Sequence, residues 1–269
     1  MTDEYTLSQR AAAEFIGTFS IVFFGAGAVV IDFLTAPEAG GQYVASGLGL
    51  GGLGWVGIAL AFWGAVAIPI YVLGPVSGQH INPAVTVAFW LTDRIDTGPA
   101  VVYVLAQLAG GIGGGLVFTL VRGGEAVTVG AMGATAVFPG VTPLQAVVNE
   151  AVITFFLMVT IMAVAVDDRA PPGWAGFIIG FVVAVGVATT GNVSGASFNP
   201  ARTIGPYVTV TVSNALLGTD GPFLWGQVWI YVVGPIVGAI VGVYTYEYLV
   251  LRPHESKVVE GPDDATTAD

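Results

Sequence analysis

Hydrophobic and polar positions do not alternate along this chain; they are segregated into long apolar runs separated by short charged stretches. No Asp, Glu, Lys or Arg occurs from Ala39 to Thr92, from Thr97 to Val121, from Ala170 to Ala201 or from Gly221 to Tyr246. A helix needs about 20 apolar residues to cross a hydrocarbon core of roughly 30 Å, so runs of this kind predict membrane spans. Six are expected, at about Gln9 to Ile31, Leu53 to Leu73, Pro99 to Val121, Gln145 to Val166, Gly173 to Thr190 and Gly226 to Val250.

The run from Ala39 to Thr92 is too long for one span. Its stretch Gly74-Pro75-Val76-Ser77-Gly78-Gln79-His80 is expected to be non-helical, whereas Pro83 to Leu91 is apolar enough for a short helix. Irregular backbone at membrane depth is tolerated where it lines a cavity, so a re-entrant half-helix is predicted over residues 82–91. Gly191 to Val210 repeats the design from the opposite side and predicts a second half-helix over residues 199–208. The expected fold is an all-α membrane protein with six transmembrane helices plus two re-entrant half-helices. Residues 1–8 are expected to form a cytoplasmic N-terminus, 9–122 and 145–251 the two channel repeats, 123–144 an extracellular connecting loop and 252–269 an acidic cytoplasmic tail.

Composition agrees: 55% of the residues are hydrophobic and 9% charged, against roughly 25% charged in a soluble domain. The 39 glycines would weaken helices in water but let membrane helices approach closely, as at Gly47 to Gly57 and Gly110 to Gly115. Met1-Thr2-Asp3-Glu4 lacks the basic n-region of a signal peptide, so the first apolar stretch is read as a retained span. With no cysteine, disulfides, thiol catalysis and thiolate metal sites are excluded. A net charge of −11 and a single lysine argue against a nucleic-acid partner. An acidic exterior would suit a saline habitat, but an ordinary solvated tail from Glu255 to Asp269 is the favoured reading. Six spans put both termini on one side with Arg10, Arg94, Arg169, Arg252 and Lys257, leaving Arg122 opposite; the positive-inside rule then predicts cytoplasmic termini.

The two re-entrant stretches align as Ser77-Gly78-Gln79-His80-Ile81-Asn82-Pro83-Ala84-Val85-Thr86 and Ser194-Gly195-Ala196-Ser197-Phe198-Asn199-Pro200-Ala201-Arg202-Thr203, identical at six of ten positions. Glu14, Thr18 and Phe19 of the first span recur as Glu150, Thr154 and Phe155 of the fourth. Three spans per half make the repeat inverted. A single Asn-Pro-Ala is a weak signal. Two copies, each preceded by Ser-Gly and placed between the second and third spans of its half, are specific, and on them the chain resembles the aquaporin family over nearly its whole length. Gly-Pro-Val-Ser-Gly-x-His-Ile-Asn-Pro-Ala, with Ala-Val-Phe-Pro-Gly in the central loop, is most similar to archaeal members.

Asn is a favoured N-cap and Pro a favoured first helical residue, so Asn82-Pro83 and Asn199-Pro200 each start a half-helix, followed by Ala84 and Ala201. Asparagine oxygens turned back onto their own helices would leave two amide donors in the lumen. A water accepting from both would be turned out of the hydrogen-bonded file, breaking proton transfer, while the positive helix ends repel cations. Carbonyls of Gly78, Gln79, His80, Ile81, Gly195, Ser197 and Phe198 are expected to line the pore as acceptors, with a buried structural loop as the plainer alternative. Arg202 is costly in an apolar segment, which makes function the default.

The resemblance implies a constriction of Arg202 with Phe62, Val187 and Ala196, and a homotetramer in the cell membrane needing no cofactor. Water-selective members carry His where Val187 stands. Val187 and Ala196 imply a wider, less polar opening that would admit glycerol, whereas Thr203, Tyr207 and Tyr231-Val232 depart from the glycerol type. Glu14 and Glu150 have two competing roles: holding the re-entrant loops, or carrying protons in a coupled transporter. His80 is read as a neutral, hydrogen-bonded histidine against a pH gate, and Gln107 as a packing or loop-supporting residue. No nucleophile–base pair or phosphate loop suggests an enzyme. The expected function is passive passage of water and small neutral solutes.

Overall fold

In a computed structural model, residues 4–35 and 53–252 are described. Lys257, most of the acidic tail, residues 1–3 and Gly47 to Gly52 lie outside them. Six helices are long and apolar enough to cross a membrane: α1 (Leu7–Thr35), α2 (Gly54–Ser77), α4 (Thr97–Arg122), α6 (Pro143–Val166), α7 (Ala175–Ser194) and α9 (Trp225–Leu251). Three further helices are α3 (Pro83–Leu91), α5 (Glu125–Thr128) and α8 (Pro200–Leu217). The spans match those expected to within a few residues at each end, with two differences in the re-entrant regions.

The inverted repeat is visible down to helix starts. Thr6 begins α1 with a capping box, its hydroxyl accepting from Gln9 N while Gln9 Oε1 accepts from Thr6 N at 2.8 Å. Thr142 and Gln145 begin α6 with the same pair of bonds, the second again at 2.8 Å. Each box satisfies two N–H groups that a helix start leaves orphaned. The helices then pack as α1 on α4, α6 on α9 and α2 on α7. Glycine permits the closest crossings. A Cβ on Gly238 would lie 2.1 Å from the Ala151 carbonyl oxygen, and one on Gly110 would lie 2.3 Å from that of Phe15.

The stretch Gly74 to Ser77 was expected to be non-helical, but α2 continues through it to Ser77 despite Pro69 and Pro75. Each proline removes one backbone donor rather than the helix. At Pro69 the carbonyl left over, Ala65 O, accepts instead from Ser20 Oγ of α1 at 3.1 Å. Tertiary contact thus replaces the lost local bond, and the helix ends at Gly78, whose φ of +82° is the left-handed C-cap that ends helices.

The second half-helix was placed at 199–208, but α8 runs on to Leu217. Within α8 the threonines turn their hydroxyls back on the preceding turn, Thr209 to Gly205 O and Thr211 to Tyr207 O, each at 2.9 Å. The true stop is Gly218, with φ +65°.

On the face that carries both described chain ends, Arg94 pairs with Glu247 at 2.6 Å and ties the exit of α3 to α9. Asp167, just beyond α6, accepts from the Arg169 side chain and backbone and from Tyr246 Oη. Those bonds, the guanidinium first, hold its carboxyl well below the usual carboxylate range, so the link stays ionised at neutral pH.

Candidate functional site: the meeting of the two half-helices

The two re-entrant loops are near-copies in backbone. Gly78 and Gly195 both have φ +82°, and each is followed by two non-glycine residues at positive φ: Gln79 and Ile81 at 48° and 45°, Ala196 and Phe198 at 43° and 59°. Non-glycine residues rarely adopt such angles, and each is unfavourable enough to need outside support. The support comes from two buried carboxylates.

Glu14 Oε1 accepts from Ser77 Oγ and His80 N at 2.8 and 2.9 Å, and its Oε2 from Ile81 N and Gln107 Nε2 at 2.6 and 2.8 Å. Glu150 Oε1 accepts from Ser194 Oγ and Ser197 N at 2.6 and 2.9 Å, and its Oε2 from Phe198 N at 2.9 Å. Both side chains are fully buried. N–H groups that strained loops cannot pair locally are therefore gathered by a carboxylate from the first helix of the same half. Tyr103 and Tyr231, one per half, add matching struts from Oη to Ser77 O and Ser194 O, each at 2.8 Å. Sequence reading missed this tyrosine pair. The signal available was that each lies at the same distance, nearly two turns, into the last span of its half.

Asn82 and Asn199 sit where α3 and α8 begin, both in extended conformation. Asn82 Oδ1 accepts from Ala84 N at 2.9 Å; Asn199 Oδ1 accepts from Ala201 N at 2.9 Å and Arg202 N at 3.3 Å. Pro83 and Pro200 occupy the first helical positions, where no backbone donor is needed. From the sequence, these amides are expected as lumen donors and have no assigned partner within the protein. Instead each crosses to the other loop: Asn82 Nδ2 donates to Phe198 O at 2.9 Å and Asn199 Nδ2 to Ile81 O at 2.7 Å. One N–H of each amide locks the halves together, and the second is left for the lumen.

A cavity of about 200 Å³ reaches this point from the face with the chain ends. One wall is the loop Gly78, Gln79, His80 and Ile81 with Asn82; Ser197, Phe198 and Asn199 close its inner end, and Ile21, Val66, Val85, Leu157, Ile161 and Val183 form an aliphatic wall opposite. Gly195 is not part of the lining. His80 is held by Thr86, with Nδ1 to Oγ1 at 3.2 Å, and lies edge-on to the rings of Phe89 and Tyr103. Gln107 Nε2 also donates to Thr86 Oγ1 at 2.9 Å, so it supports the loop as well as Glu14.

Phe62 also lines the cavity, and Arg202, Val187 and Ala196, all buried, lie outside its lining. The Arg202 guanidinium lies 5.1 Å from the Phe62 ring centroid, and Phe62, Val187 and Ala196 share one apolar cluster. Arg202 Nη1 donates to Gly133 O at 2.8 Å. That partner comes from the connecting segment 123–144, which turns inward instead of staying a surface loop. Thr135 Oγ1 meets Thr203 Oγ1 at 2.8 Å, Tyr207 Oη donates to Thr135 O at 2.8 Å, and Phe138 N to Val193 O at 3.1 Å. Gly133 has φ +63°, and a Cβ there would stand 2.2 Å from Ala26 O, so only glycine fits.

An inverted six-helix repeat whose two half-helices meet end to end at a polar junction defines a membrane channel protein of the aquaporin fold. The chain belongs to the major intrinsic protein family: the family profile matches residues 1–246. It is 49% identical over 247 residues to aquaporin AqpM of Methanothermobacter marburgensis, covering 91% of this chain and 98% of that one. A probable aquaporin AqpM of Archaeoglobus fulgidus is equally similar, at 49% with the same coverage. Aquaporin NIP1-4 of rice, Oryza sativa subsp. japonica, is 36% identical across 93% of this chain and 80% of its own. The crystal structure of the aquaglyceroporin from Plasmodium falciparum superposes with a TM-score of 0.76 at 22% identity, covering 94% of this chain and 100% of that one, which shows the shared fold.

Proposed function

We propose that the protein is a passive channel for water that also passes glycerol and similarly small neutral solutes, and that it excludes protons and ions. The observation that carries this reading is the junction itself: two capped helix starts, two amide donors and two loops of carbonyls converging at one end of a cavity with an aliphatic wall opposite. Carbonyls of Gly78 to Ile81 and of Ser197 and Phe198 offer acceptors, and a water at Asn82 and Asn199 accepts from both amides. Its hydrogens then point away from the junction along both half-channels, so no continuous donor chain crosses it. Both half-helices present about half a positive charge there, which adds a barrier to cations but none to neutral molecules.

The named relatives support the reading: archaeal and plant proteins called aquaporins, and a fold shared with an aquaglyceroporin. The transporter alternative is not favoured, because both carboxylates are engaged by loop donors rather than by anything mobile. We further propose cytoplasmic termini in the cell membrane, on the strength of the arginines gathered at that face, and a homotetramer, on family grounds. Reconstituted vesicles should show osmotic water permeability well above that of empty vesicles with no proton current. Permeability equal to the empty control would refute the channel.

Phe62, Val187, Ala196 and Arg202 form the constriction in this reading. Val187→His should place a polar ring among these residues, narrow the opening and lower glycerol relative to water permeability severalfold. An unchanged ratio in a folded variant would remove Val187 from the filter.

A further inference from the structure

The first span departs from α-helical geometry at one place: Ile21–Ala26 is a π turn. Such turns are rare and concentrate at functional sites. Four residues make up roughly nine-tenths of a π turn, so Gly25 lies near the helix face from which Ile21 lines the cavity. Gly25 is buried, and it faces Phe62. A Cβ at Gly25 would stand 2.5 Å from both Cδ1 and Cε1 of the ring and 3.0 Å from Cγ. Carbon–carbon contacts settle near 3.5–4.0 Å, so a single methyl there would displace the ring by about 1 Å.

The direction of that displacement follows from what surrounds the ring. On the Gly25 side is helix backbone; Val187 and Ala196 share its apolar cluster, and Arg202 lies 5.1 Å from its centroid. The open volume that Phe62 borders is the cavity. We infer that Gly25, packed against the Phe62 ring within the π turn, is a positioning residue that sets the width of the constriction by letting Phe62 lie back from the lumen. This rests on reading Phe62 and Arg202 as the constriction. It assigns to the first span a part in selectivity for solutes wider than water, of the size of small polyols. Gly25 touches no solute itself and acts only through the ring.

Three variants test the inference in reconstituted vesicles: Gly25→Ala, Phe62→Leu and the double variant, each read as the ratio of glycerol to water permeability. Gly25→Ala should lower the ratio at least threefold. Phe62→Leu should raise it, and in that background Gly25→Ala should have little further effect, because the ring it acts on is gone. A ratio unchanged by Gly25→Ala while Phe62→Leu shifts it would overturn the inference and leave the constriction standing. A ratio insensitive to Phe62→Leu would overturn the constriction itself, and the inference with it. If Gly25→Ala alone fails to insert, insertion of the double variant with the Phe62→Leu ratio supports the contact. Failure of the double variant as well would show that Gly25 serves something other than Phe62.

Discussion

Glu150→Ala is expected to leave little or no functional channel, with a large loss of thermal stability in whatever protein inserts. The substitution strands Ser197 N, Phe198 N and Ser194 Oγ inside the bundle. A buried donor left unpaired costs about 1–3 kcal/mol, and even at the ~0.6 kcal/mol measured on average for hydrogen bonds between membrane helices, three of them amount to roughly 2 kcal/mol. The loss falls on a loop already held at positive φ by those same bonds, so the loop should relax and carry the Phe198 carbonyl away from Asn82. Glu150→Gln is the informative partner. It keeps shape and volume but turns one acceptor oxygen into a donor, so it should fall between the native protein and the alanine variant. Thermal unfolding in detergent and stopped-flow osmotic permeability measure the two consequences. A Glu150→Ala protein that conducts water at the native rate, with its unfolding midpoint unmoved, would show that the loop holds its own conformation and that the carboxylate is incidental.

Arg202→Val is expected to raise glycerol relative to water permeability severalfold and to open a measurable leak of small cations. One fixed charge about 5 Å from a passing monovalent cation opposes it by about 3 kcal/mol at an effective dielectric of 20, roughly two orders of magnitude in rate. That figure is an upper bound, because the half-helix N-termini still oppose cations at the junction. The solute ratio should therefore move more visibly than the ion current. Arg202→Lys separates the two effects: it keeps the charge, so cation exclusion should persist, but its single ammonium cannot hold Gly133 O and lie over Phe62 together. The ratio should shift while the leak stays closed. Native selectivity in the valine variant would remove Arg202 from the constriction.

The fold was legible from the chain because hydropathy, caps and repeats are local. A bilayer forces lipid-facing backbone to pair within helices, so most spans follow from the apolar runs. The half-helix starts follow from Asn-Pro, whose two residues satisfy a helix N-terminus without outside help. Helix ends were less legible where a tertiary contact makes up for a local breaker, as Ser20 does for Pro69, and where the left-handed stop lies further along the chain, as Gly218 does for α8. The site was legible as residues but not as geometry. Glu14 and Glu150 could be read as loop holders or as proton carriers until their oxygens were seen to meet the N–H groups of His80, Ile81, Ser197 and Phe198.

By itself the sequence determined that the chain spans a membrane six times, that its halves are inverted copies, and that Asn82 and Asn199 cap two half-helices. Each is read from local runs and motifs, which for the repeat are compared between the two halves. Only the tertiary structure decided that each asparagine also donates across to the other loop, that the connecting segment folds in to hold Arg202 through Gly133, and that Gly25 stands behind Phe62. Those contacts join residues tens of positions apart. Nothing in local propensity selects such a partner, and close packing of the whole bundle does.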